Sequence, residues 1–213
     1  MGGLSEESKR YTTVKHDGEA EFEEKRSTFI GYARRVTTAE DATDFIKSIK
    51  KKHPDARHNC SAYLLAGGMT ARYSDDGEPQ GTAGMPILET IRKSGAEDVC
   101  VVVTRYFGGI LLGAGGLTRA YAHAASIALD SAEIVTYEEY IEMRLVCSYG
   151  EYQRYAAQLA NTGAIIDDTV FADNVTLLFA LKPDEATRFS EKVIEQSGGQ
   201  NRPEEIGRRF DAK

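Results

Sequence analysis

The chain has 213 residues, 41% of them hydrophobic and 28% charged, with a formal net charge of -7. That length allows one large domain or two small ones with real cores. The acidic balance argues against indiscriminate coating of nucleic acid, which needs many phosphate contacts, but leaves room for a local site. The start, MGGLSEESKRYTTV, lacks the apolar core of a signal peptide, and no apolar run approaches the ~20 residues that cross a membrane. A cytoplasmic protein with no membrane partner is the expectation.

In chain order, a polar N-terminus with the composition of a mobile tail leads to residues 20–36, which read as two strands or a hairpin with Phe22, Phe29, Ile30 and Tyr32 as core contacts. Ala42, Phe45, Ile46 and Ile49 then recur at helical spacing. Thr38 is placed to cap that helix, and Lys50, Lys51 and Lys52 precede a stop at His53-Pro54. Residues 61–66 form a short apolar strand ended by Gly67-Gly68. A loop over 72–86 enters a helix bearing Met85, Leu88 and Ile91, with Thr82 as its cap and Gly95 near its end. Residues 99–104 are too continuously apolar to be half exposed, which places them centrally in a covered sheet. The helix after Gly116 is rich in alanine and suits close approach to that sheet.

A boundary is expected between Ala132 and Glu139, where the alanine-rich helix gives way to a polar link, dividing the chain into domains 1–136 and 137–213. The second half reads as strand 141–147, helix 149–162, strand 164–171, strand 175–181, helix 184–197 and a weak strand 206–210. That order, βαββαβ, is a ferredoxin-like arrangement in an α+β protein. Cys60, Cys100 and Cys147 lie far apart, each in or beside a strand-like run, and read as buried thiols without disulfide or zinc spacing. No metal and no cofactor is expected.

The chemistry concentrates in VCVVVTRYFGGILLGAGGLTR, residues 99–119. A buried strand ends in Arg105, Tyr106 and Phe107 and passes through glycines into a helix, a pattern that brings amides, guanidiniums and aromatic faces to one sheet edge. Gly108, Gly109, Gly115 and Gly116 permit close approach of another molecule to the backbone, and the free N–H groups of the helix start favour an anion. The run has neither a P-loop ending nor a dinucleotide fingerprint. A tight turn before a close-packed helix would also account for it. Arg105 and Arg119 are the candidate phosphate contacts, with Tyr106 or Phe107 for stacking. Adjacent strand residues point to opposite faces, so one ring belongs to the core and the other to the surface. Arg57, His58 and Arg72 extend this surface, because no acid occurs over 56–74 or over 99–129. Asp75, Asp76 and Glu78 could hold a metal or form a turn around Gly77 and Pro79. His58 and Cys60 share a strand face, but no third group orients them, so no catalytic residue is assigned.

Three blocks, HNCSA from His58, DDGEPQGTAGMP from Asp75 and VVVTRYFGGILLGAGGLTRAY from Val101, resemble the signatures of the YigZ/IMPACT family in order and spacing. The resemblance covers essentially the whole chain. It implies an N-terminal domain of the superfold shared with the second domain of a small-subunit ribosomal protein and with domain IV of elongation factor G. The C-terminal, ferredoxin-like domain is similar to domain V of that factor. It further implies RNA or ribosome binding and a part in translation regulation, with no enzymatic activity attached to bacterial members. The alternative is an enzyme or sensor for a small phosphorylated ligand using the glycine loop and Asp75, Asp76 and Glu78. A protein partner on the exposed sheet of the C-terminal domain is a further expectation.

Overall fold

The computed structural model describes residues 10–65 and 70–212, so the mobile tail expected before residue 10 and the strand end expected at Ala66, Gly67 and Gly68 lie outside the described residues. The described chain separates into two compact units, Tyr11–Thr136 and Tyr137–Lys213, the second also taking Arg10.

The first unit runs β1 (Arg10–Val14), β2 (Gly18–Glu24), β3 (Ser27–Arg35), α1 (Ala39–Lys52), β4 (His58–Leu64), β5 (Ala71–Ser74), α2 (Gly84–Ser94), β6 (Val99–Tyr106) and α3 (Gly113–Ser131). Its sheet has the order β2-β3-β6-β4-β5 with antiparallel neighbours. Both faces are covered, which is why β6 can be apolar without alternation. Val101 and Val103 join Ile87 and Ile91 of α2 and Tyr121 and Ala124 of α3 in one core, whereas Cys100 and Val102 join Phe45 and Ile49 of α1 in another. Alanines let α3 lie close. A Cβ on Gly31 would stand 2.4 Å from the Ala124 carbonyl oxygen, so only glycine fits there.

Helix α1 forms as its sequence dictates, with Thr38 Oγ1 accepting from the Asp41 N–H at 3.0 Å and three lysines in the last turn. Two local expectations change. Residues 10–14, read as part of a polar tail, form β1, where Thr13 and Val14 are buried and Thr12 accepts from the Glu97 N–H. The segment from Ala71 to Ser74, read largely as loop, pairs with β4 as an edge strand.

The second unit takes β7 (Ile134–Cys147) into α4 (Tyr149–Ala160), β8 (Ile165–Phe171), β9 (Val175–Leu181), α5 (Pro183–Gln196) and β10 (Glu204–Ala212). The order β10-β7-β9-β8 with a core of Leu145, Tyr155, Leu159, Leu177, Phe179, Phe189 and Val193 is the expected ferredoxin-like α+β arrangement, and β1 joins the same sheet as a fifth strand on β7. The polar link expected over 132–139 is instead the first part of β7. Its acidic residues are tolerated because Glu138 pairs with Lys182 and Glu139 with Arg208. Cys60, Cys100 and Cys147 are free and buried.

Candidate nucleic-acid interface

Residue 105 ends the central strand, and antiparallel pairing sets it opposite His58 on one side and Phe29 on the other. The residue is 6% exposed. Arg105 Nη1 donates to Glu78 Oε1 at 2.6 Å, Tyr121 OH donates to the same oxygen at 2.8 Å, and Arg105 Nη2 reaches Ser27 Oγ at 3.4 Å. The guanidinium lies 5.5 Å from the ring centres of both Phe29 and Phe107, and its Nε is buried without a hydrogen-bond partner. Arg105 is therefore bound internally and is not a surface phosphate contact. Glu78, whose side chain is 4% exposed, has its charge met by the arginine. Burial, with Cys60 and Glu78 beside it, pushes the Tyr121 phenol far above its ordinary range, so it stays a donor. Burial likewise pushes the Cys60 thiol up to about 12, which keeps it protonated and donating to the Asp75 carbonyl.

The loop before α2 is built around Asp75. Its carboxylate accepts from the N–H groups of Gly81, Ala83 and Gly84 at 2.8, 3.1 and 2.8 Å. Asp75 thus serves the start of α2, and Thr82 does not cap it: the threonine hydroxyl donates to the Pro79 carbonyl. Asp76 accepts from the Asn59 N–H and pairs with Lys50 at 2.6 Å, while its carbonyl meets His58 Nδ1 at 3.0 Å. Each carboxylate of the loop has separate internal work. No group of three metal-ligating side chains is arranged around a common point among the described residues.

Glycines 108 to 116 divide into two kinds. A Cβ on Gly108 would sit 1.8 Å from the Arg26 carbonyl oxygen, because the Lys25-Arg26 tip of the β2–β3 hairpin, with φ of 48° and 65°, presses against this loop. At Gly116 a Cβ would come 2.9 Å from Leu112 Cβ. Both serve internal packing. Gly109 and Gly113 adopt φ of 86° and 71°, and the space beside Gly109 and Gly115 is open apart from Arg119 Nη1, 3.6 Å from the Gly115 position. The two rings after Arg105 part as the strand alternation requires. Tyr106 is half-buried and hydrogen-bonds His53 Nδ1 at 2.8 Å, and Phe107 is 48% exposed.

A concavity of about 340 Å³ opens over this floor, lined by Arg57, His58, Glu78, Arg105 and Phe107 together with the first turn of α3 and Leu111, Leu112 and Leu117. The start of α3 carries no capping side chain and no acid in its first turn, so its N–H groups and dipole favour an anion at the rim. Arg57 and Arg119 are exposed, whereas Arg72, exposed on the edge strand β5, stands opposite Tyr63 on the α1 face of the sheet and does not extend the surface around Arg105. The structure therefore brings together Arg57, His58, Glu78, Arg105 and Phe107, and turns Tyr106 toward His53 on another face. Sequence reasoning missed Ser27 and Tyr121 as supports of the floor. Tyr121 was within reach, since a tyrosine in an alanine-rich core helix needs a partner for its hydroxyl.

The fold and this floor define a two-unit α+β protein with a glycine-loop cavity on its first unit. Residues 25–129 match the Impact N-terminal domain and residues 145–200 match a domain of unknown function, DUF1949. The chain belongs to the IMPACT family: it is 38% identical over 192 residues to IMPACT family member YvyE of Bacillus subtilis (strain 168), covering 90% of this chain and 88% of that protein. It is 36% identical to IMPACT family member YigZ of Escherichia coli (strain K12), over 82% of this chain and 87% of that one. A solved structure described as a crystal structure of a hypothetical protein superposes with a TM-score of 0.59 at 32% identity, covering 93% of this chain and 98% of the other. No helix among the described residues is long and apolar enough to cross a membrane.

Proposed function

We propose that the chain is a cytoplasmic, non-enzymatic protein that binds RNA or the ribosome through the cavity of its first unit and acts in translation regulation. The observation that carries this reading is the neutralisation of Glu78, the one carboxylate among the described residues lining the cavity, by buried Arg105. What then faces an incoming ligand is Arg57, His58, the start of α3 and the half-exposed ring of Phe107. This is a locally positive surface with a stacking face, on a protein whose net charge is -7. Arg119 extends the phosphate-contacting surface, Gly109 and Gly115 leave room for it, and Arg105, Gly108 and Gly116 hold its frame. Within this reading the chain works as domains 1–136 and 137–213, the second offering its open sheet to a protein partner.

The concavity itself favours one other reading, a small phosphorylated ligand, because about 340 Å³ suits a single nucleotide unit. A metal held by Asp75, Asp76 and Glu78 has no part in it, since all three carboxylates are engaged within the protein. Binding to ribosomes and to short RNAs across a salt series tests the proposal. Arg57→Ala/Arg119→Ala removes two exposed cations and leaves the core intact, so salt-sensitive binding should weaken at least tenfold and its salt slope should shrink. Unchanged affinity in this folded variant overturns the assignment of the surface.

A further inference from the structure

A phosphate offers only acceptors, so a pure phosphate site needs only donors. This cavity also presents acceptors. His58 Nδ1 lies 3.0 Å from the Asp76 carbonyl oxygen, which can only accept, so the proton of the neutral ring sits on Nδ1 and Nε2 carries the bare lone pair. The ring is held in place by Gly77, whose missing Cβ would stand 3.4 Å from Nδ1 and 3.6 Å from Cε1. Nε2, bonded to the same Cε1 and taking no hydrogen bond from a described residue, is the polar atom His58 has left for the cavity it lines. Glu78 adds a second acceptor: both of its hydrogen bonds end on Oε1, and Oε2 takes none from a described residue yet is not sealed from solvent.

Acceptors beside an anion site suit a ligand that carries an O–H or N–H next to its phosphate. In a nucleic acid strand that group is the ribose 2′-hydroxyl, adjacent to the 3′-phosphate and absent from DNA. We propose that the cavity reads the ribose 2′-hydroxyl, which donates to His58 Nε2 while the neighbouring phosphate lies against Arg57 and the first turn of α3, so that the ligand is single-stranded RNA in preference to DNA. This rests on the RNA-binding reading and names how that site chooses its ligand. Glu78 Oε2 stands as a second acceptor in the lining of the same cavity.

The experiment compares fluorescein-labelled oligouridylate and oligodeoxyuridylate of ten nucleotides, identical except for the 2′-hydroxyls, by fluorescence anisotropy at one salt concentration. The wild-type protein is expected to bind the RNA about tenfold tighter, the scale of one hydrogen bond to a fixed acceptor. His58→Phe keeps a flat ring against Gly77 and removes Nε2, and the RNA-to-DNA ratio should fall to near one, with the thermal midpoint reporting that the variant is folded. Equal wild-type affinity for the two oligomers, or a ratio that survives His58→Phe, overturns the inference and leaves RNA binding standing. Failure of both oligomers and of ribosomes to bind overturns the inference together with the reading beneath it.

Discussion

Each unit contains an arginine held by carboxylate, one in the first unit and three in the second, and the two clusters differ in what surrounds them. Arg105 and Glu78 have side chains 7% and 4% exposed, share their hydrogen bonds with Tyr121 and Ser27, and lie under a cavity. Arg209 bridges Glu142, Asp167 and Asp211 on the open side of the C-terminal sheet, where the four side chains are between 28% and 39% exposed. The same ions thus meet different solvents. In the first cluster desolvation has already been suffered, and removing one partner leaves a buried charge alone. In the second, water and salt replace whatever is removed.

The sharpest way to break the comparison is Glu78→Ala. It strands Arg105 and should cost about 3–5 kcal/mol in chemical denaturation, with loss of RNA binding. Glu78→Leu combined with Arg105→Met tests whether the pair exists for stability. The double variant is expected to recover most of the stability and, with Arg57, His58 and the start of α3 in place, most of the binding, and a double variant as unstable as Glu78→Ala would mean the pair is itself a stabilising element. Next in size is Asp75→Ala, which leaves three N–H groups at the start of α2 without their acceptor and should cost about 1–3 kcal/mol. Amide exchange at Gly81, Ala83 and Gly84 should accelerate in that variant.

A pH titration sharpens the contrast further. His53 bridges Tyr32 OH at 2.6 Å and Tyr106 OH at 2.8 Å, and burial, reinforced by Lys52, holds its pKa below the ordinary value of 6.5. The folded state therefore keeps His53 neutral at a pH where the unfolded chain protonates it. Stability is full above about 6.5 and declines as pH falls through the folded value. Thermal midpoints measured between pH 7.5 and 5.5 should fall, and His53→Phe should flatten the decline. The smallest effect belongs to Arg209→Ala, at most about 1 kcal/mol and diminishing in high salt. A larger loss would show that the open-face network is more rigid than its exposure implies.

Most of the fold was legible from pattern. Val175–Leu181 sets Val175, Leu177, Phe179 and Leu181 at period two on one covered face, Thr38 precedes an amphipathic helix, and the valine run of β6 announces a sheet covered on both sides. What escaped depends on partners distant in sequence. Arg10–Val14 becomes a strand because β7 pairs with it and Thr12 accepts from the Glu97 N–H, and residues 134–139 extend β7 because Lys182 and Arg208 meet their acids. The site was legible in composition and less so in roles. Nothing local says that Arg105 turns inward to Glu78, that Gly108 exists for Arg26, or that Asp75 serves the helix behind it, since each is settled by a cross-chain contact. The partition of Tyr106 and Phe107 did follow from strand alternation.

Asp75 shows how a helix start in this unit is quieted: a carboxylate supplied by the chain itself occupies the amides of α2. The start of α3 has no such resident acid. The contrast amounts to a recipe for a self-inhibited form of the protein. An acid introduced at exposed Ala114, in the first turn of α3, would complement the helix dipole by about 0.3–1 kcal/mol and compete with any phosphate for the same amides, silencing the surface without unfolding it.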